Sequence, residues 1–267
     1  MKKLSFLAIA FAVIAMTACG GKKSAQAEGS ADSVKSFEQE QIEASIKMHM
    51  DSIASDLGKL PSLPFLSNTG NGIALTKEEK QVKPDYLLPA SLADEATTLT
   101  EKYRALSALA IDKRVAALYE MPVEDYEKAV TKLAADINDP SFKAVENAGD
   151  IFETTEELYD EMEKNGRINF FWQLAASSLV EELYIANQNT DKFLSNFTDE
   201  AASNVTFRIV LILDAINRLS QFDPDIIPVA KAIAPLNTLN ATTVAEMKEQ
   251  MARAKDQIAE ARKTLLK

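Results

Sequence analysis

From Pro89 to the C-terminus, apolar residues recur at steps of three and four, and no stretch keeps the two-residue alternation flanked by hairpin turns that half-buried strands require. Val123, Tyr126, Val130, Leu133 and Ile137 form one such stripe, and Val244, Met247, Met251, Ala254, Ile258, Ala261 and Leu265 another. With no strand pattern to offer a sheet, such apolar stripes can be buried only against other helices. The chain therefore reads as all-α. Its helices differ in length and no fixed-period repeat recurs, so the expected architecture is an irregular multi-helix bundle.

Punctuation sets the segments. Val34 to Leu57 carries the first helical pattern. Residues 58–90 interrupt it with Pro61, Pro64, Pro84 and Pro89 and with the turn-forming run Ser67 to Gly72. Within that extended crossover, Thr76-Lys77-Glu78-Glu79 predicts one short capped helix. Ser91 to Tyr119 predicts a helix with a break near Asp112, and Pro122 starts the next one at its first turn. A short helix carries Phe142 and Val145 and ends at Gly149. Helices follow over Ile151 to Lys164, Ile168 to Ala186 and Thr198 to Phe222, with Thr190 capping a short turn. Pro224, Pro228 and Pro235 keep the next segment short. Thr243-Val244-Ala245-Glu246 caps one last helix. Ile168 to Ala186 is apolar on nearly every side, which places it among other helices at the centre.

Few residues offer chemistry. His49 is the sole histidine, so a zinc site, a triad or a histidine acid–base pair lacks its partners, and the ring reads as a surface or rim residue. Gly70-Asn71-Gly72 lacks the third glycine and the lysine of a phosphate cradle. The acids between Glu153 and Glu163 lack the alternating ligands of a calcium loop and read as a solvated face. No cofactor and no metal are called for. The polar groups that stand out are those in the central helices: Glu181, Glu182, Arg208 and Asp214, each among apolar neighbours. A buried carboxylate is costly unless paired, so Glu181 or Glu182 facing Arg208 is the expected compensation. With Trp172 these residues form either a buried ion-pair cluster or the lining of a ligand pocket. Trp172 and Tyr184 otherwise read as core.

The N-terminus is more specific. Met1-Lys2-Lys3 precedes an apolar run, Leu4 to Met16, too short for the roughly 20 residues of a membrane span, and Thr17-Ala18-Cys19-Gly20 follows. Residues 1–18 read as a signal peptide. Cys19 is the only cysteine, so no intrachain disulfide forms. Met16-Thr17-Ala18-Cys19 resembles the lipobox of bacterial lipoproteins, with Met where Leu is usual. The resemblance covers about the first twenty residues, and it implies acylation of Cys19 and cleavage before it. Gly20, in place of an aspartate, points to the outer membrane by the same resemblance. Gly20 to Lys23 carries no acidic export tag, which points to its periplasmic face. Residues 19–33 lack apolar periodicity and read as a flexible tether with a reach of roughly 20 Å, and residues 34–267 read as a single helical domain. Within the tether, Asp32-Ser33-Val34 resembles the acceptor of a bacterial O-glycosylation system, which makes Ser33 a candidate modification site.

The formal charge is −11, and removing residues 1–18 takes two lysines and no acids, leaving −13. That balance opposes nucleic-acid binding, which needs a basic footprint. The expectation is a non-enzymatic, lipid-anchored envelope protein with a protein partner. A small-molecule binder with a pocket at Trp172, Glu182 and Arg208 is the alternative, and a carboxylate-based hydrolase stands third.

Overall fold

The computed structural model describes residues 37–61, 73–142 and 154–267. The expected signal peptide, Cys19, the expected tether with Ser33 and the end of the expected helix at Val145 to Gly149 lie outside these residues. The described residues form twelve α-helices and no strand. The protein is all-α, as the periodicity requires.

In chain order these are α1 (Phe37–Gly58), α2 (Lys77–Gln81), α3 (Leu92–Glu95), α4 (Leu99–Leu118), α5 (Glu124–Ile137), α6 (Thr155–Lys164) and α7 (Ile168–Gln188). They continue with α8 (Thr190–Phe193), α9 (Asp199–Leu219), α10 (Ile227–Ile233), α11 (Val244–Arg253) and α12 (Lys255–Leu265). Short 3-10 turns at Pro224–Ile226 and Ala234–Thr238 flank α10, where the prolines forbid longer helices.

Helix α7 is the axis of the bundle. Every residue from Phe171 to Leu183 is buried, and α4, α12, α9 and α6 all pack on it. Small residues let α4 approach closely: Ser107 Oγ lies 2.6 Å from Ser178 Oγ and donates to the Leu174 carbonyl at 3.1 Å. On another side, Phe171 and Trp172 meet edge to face at 5.0 Å, and Tyr159 of α6 adds a second such contact to Phe171 at 5.1 Å. Each fully buried large apolar side chain stabilises by roughly 1.5–3 kcal/mol. The rings therefore dominate this part of the core.

Several boundaries differ from the sequence reading. The break expected near Asp112 falls at residues 96–98 instead, because Thr98 and Glu101 form a capping box that starts α4 there. Glu101 accepts from the amides of Thr97 and Thr98 and from the Thr97 hydroxyl, and these bonds hold its carboxyl at about 2. Helix α5 begins at Glu124 with Val123 as its cap, so Pro122 precedes the helix instead of opening its first turn. The last apolar stripe is carried by two helices, α11 and α12, separated by Ala254 at φ −86°, ψ 4°, while the stripe stays continuous. At the shorter turns, Asn189, not Thr190, caps α8 through its side chain, and Thr198 caps α9 as expected.

The described part of the crossover lies on the body. Ile73 is buried, Tyr86, Leu87 and Leu88 pack on the core, and the Tyr126 hydroxyl donates to the Leu88 carbonyl at 2.7 Å.

Candidate functional site

Of the five residues singled out in the central helices, Glu181 pairs with Arg262 and Asp214 with His49 and Arg218. Trp172, Glu181, Glu182 and Arg208 are buried, but they are spread along α7 and α9, and Asp214 is not among them. The Asp214 side chain is 41% exposed and sits at the α1–α9 edge. There it accepts from Arg218 Nε at 3.0 Å and faces His49 Nε2 at 2.8 Å. The lone histidine is thus a rim residue with a carboxylate partner that its own helix did not disclose.

Glu181 is not compensated by Arg208. Its carboxylate receives a bidentate clamp from Arg262 of α12, with Nε 2.7 Å from Oε2 and Nη2 2.6 Å from Oε1. Arg208 instead extends to the chain leaving α1, donating from Nη2 to the Pro61 carbonyl at 2.6 Å.

Around the Glu181–Arg262 pair the fold assembles a polar core. Asp112 of α4 lies within it, with Oδ2 3.8 Å from Arg262 Nη2 and accepting the Leu88 amide at 2.6 Å. The side chains of Asp112 and Glu181 are 0% exposed and that of Arg262 is 12% exposed. The Tyr184 ring stacks on the guanidinium, 3.9 Å from its carbon, which closes the remaining face. Burial, and after it the neighbouring Glu181 charge, pushes the Asp112 carboxyl well above the usual range. Burial also raises Glu181, against the lowering pull of Arg262. The same enclosure pushes the Tyr126 hydroxyl up to about 12, burial first and the Asp112 and Glu181 charges after it.

Sequence reasoning missed Asp112, Tyr184's role and Arg262. Signals for two of them exist. Asp112 falls at helical steps from Leu109, Val115 and Ala116, on the stripe that α4 buries, and Arg262 follows Ile258 by four on the buried stripe of α12. A second polar knot joins Tyr103, Asp139 and Arg167. The Tyr103 hydroxyl donates to Asp139 and receives Arg167 Nη1 at 2.9 Å, while the Ser141 amide donates to the other Asp139 oxygen at 2.9 Å.

Glu182 lines a hollow with Leu183, Ala186, Leu194, Phe197, Val205, Met247 and Met251, and neither Trp172 nor Arg208 borders it. Its free space is about that of one water molecule. The acids of α6 split between solvent and surface pairs: Glu156, Glu157 and Asp160 are exposed, and Glu163 pairs with Lys47 at 2.5 Å. Among the described residues no group of three or more histidine, cysteine or acidic side chains is placed to hold a metal ion. No described helix is long and apolar enough to cross a membrane. No family model, curated protein or solved structure matches the chain.

Proposed function

We propose that the chain is a lipid-anchored protein of the cell envelope, tethered through acyl chains on Cys19 to the outer membrane. Its helical body then serves a non-catalytic interaction or scaffold role on the periplasmic side. The observation that carries this reading is the run Met16-Thr17-Ala18-Cys19 behind a basic start and a short apolar stretch. Two or more acyl chains suffice for stable anchoring, since each buried methylene contributes about 0.8 kcal/mol.

The body is consistent with such a role. Its interior carboxylates at Asp112, Glu181 and Asp139 are engaged with arginines, tyrosines and amides that join separate elements, an arrangement suited to rigidity. On the outside, Phe207 and Val210 stand 44% and 52% exposed one turn apart on α9, apolar surface of the kind that partner contacts use. The small-molecule alternative draws less support, because the hollow at Glu182 would have to open before it admitted anything larger than water.

Membrane fractionation with labelled palmitate tests the anchor. The unmodified chain should be labelled and sediment with membranes, and Cys19→Ala should lose both properties. Label retained in Cys19→Ala, or absent from the unmodified chain, contradicts the proposal.

A further inference from the structure

We infer that Asp112 and Glu181 hold one proton between them in the folded protein, and that losing it on the alkaline side loosens the C-terminal helix α12 from the bundle. Two fully buried carboxylates face a single guanidinium. Arg262 directs Nε and Nη2 at Glu181 and leaves Asp112 Oδ2 at 3.8 Å, beyond hydrogen-bond reach. If both acids were ionised, the cluster would hold one uncompensated negative charge out of water, which burial strongly disfavours.

The hydrogen bonds indicate where the proton sits. Asp112 Oδ2 accepts the Leu88 amide, whereas Asp112 Oδ1 is buried and has no partner if it is an acceptor. As a hydroxyl it becomes a donor, and the neighbouring Glu181 carboxylate is the acceptor. Asp112 is then the neutral member and Glu181 the charged one that Arg262 clamps. The elevated Asp112 carboxyl agrees with this assignment.

The groups facing the pair come from four elements. They are the Leu88 amide and the buried Tyr86 hydroxyl from the crossover, the Tyr126 hydroxyl of α5 behind it, Tyr184 of α7, and Arg262 of α12. The other charged side chains of α5 are exposed, as is Lys231, the one charged residue of α10. On α11, Lys248 and Arg253 are engaged by Asp191 and Glu249. On α4 itself the basic residues are Lys102, paired with Asp136, Arg104, Lys113 and Arg114; of the charges that shift Asp112 and Glu181, the cation is Arg262.

The direction of the pH effect follows from linkage. Asp112 has a higher affinity for the proton in the folded chain than in the unfolded one, so its contribution is complete below the ordinary carboxylate value of 3.8. It is lost as pH rises through the elevated folded value, when the proton passes to solvent and two carboxylates confront Arg262. Helix α12 and the Leu88 segment are the elements whose retreat relieves that repulsion by admitting water.

Thermal melting from weakly acid to alkaline pH, on the full mature chain and on Asp112→Asn, tests the inference. Asparagine is close in shape to the protonated acid and its amide can donate to Glu181. The unmodified chain should lose midpoint steadily with rising pH while Asp112→Asn follows a flatter curve. Superimposable curves would overturn the proposal. Should Asp112→Asn fail to fold, infrared spectra of the unmodified chain with isotope-labelled aspartate decide the matter. A label-shifted band of a protonated carboxylic acid at neutral pH supports the shared proton, and its absence refutes it.

Discussion

Arg262 grips Glu181 with two parallel hydrogen bonds of 2.6 and 2.7 Å, tying the last helix of the chain to the central one across 81 residues of sequence. Because both acids beside Arg262 are fully buried, removing its guanidinium leaves a buried charge without its partner. Arg262→Met should destabilise the protein by about 3–5 kcal/mol, the range for leaving a buried charge without its partner. Urea unfolding measures it, and a loss below about 1 kcal/mol would mean that the pair contributes little net stability.

Tyr103 bridges Asp139 and Arg167 through one hydroxyl, with its ring stacked on Phe170 at 4.7 Å. Tyr103→Phe keeps the ring and removes the bridge. The expected cost is about 1–3 kcal/mol, that of leaving buried polar groups short of a partner. Unchanged urea unfolding would show that Asp139 and Arg167 find each other without it.

Asp139 gives the acid side of the stability profile. Burial by itself would raise its carboxyl, but the bonds from Tyr103 and Ser141 and the Arg167 charge hold it below the ordinary value. The unfolded chain therefore takes up this proton first as pH falls. The contribution is present above the ordinary carboxylate value and is lost as pH falls through the folded one. Asp139→Asn should flatten the acid limb of the urea midpoint against pH. A limb as steep as that of the unmodified chain assigns the acid sensitivity elsewhere.

Gly58 ends α1 where α6 crosses it, and a β-carbon there would come within 2.6 Å of Glu156 Cγ. Gly58→Ala should cost no more than about 1 kcal/mol, the penalty of turning the exposed Glu156 side chain aside. Glu156→Ala removes the obstructing atoms, so the double variant should recover most of that loss. Additive effects in the double-mutant cycle would locate the strain in the backbone instead.

Trp172 is the only tryptophan, fully buried against Phe171 and Tyr159, and its indole N–H has no partner among the described residues. Its fluorescence should be blue-shifted and shielded from iodide in the folded chain, moving to the red on unfolding. Trp172→Ala should cost about 3–5 kcal/mol. Red emission from the folded chain would contradict the packing of α6 on α7.

The helical class was legible because the three-and-four stripes are long, and the central place of α7 was legible because its sequence is apolar all round. The pairing of Glu181 was not. Glu181 and Glu182 are adjacent in sequence, and whether an acid on α7 meets Arg208 of α9 or Arg262 of α12 depends on which helix packs on which face. Nor does helical spacing reveal that Asp214 lies on the rim opposite His49. The α4 boundary was written in Thr98-Leu99-Thr100-Glu101, a capping box hidden inside an otherwise continuous pattern. The opening at Ala254 leaves no mark in the sequence, since the apolar stripe passes through it unbroken.

The anchor is the central claim, and the mass of the N-terminal peptide from membrane-extracted protein tests it most directly. The proposal predicts a mature chain beginning at Cys19, with thioether-linked diacylglycerol on its sulfur and an acyl group on its amine. A chain that retains residues 1–18, or one that carries an unmodified Cys19 thiol, would contradict it.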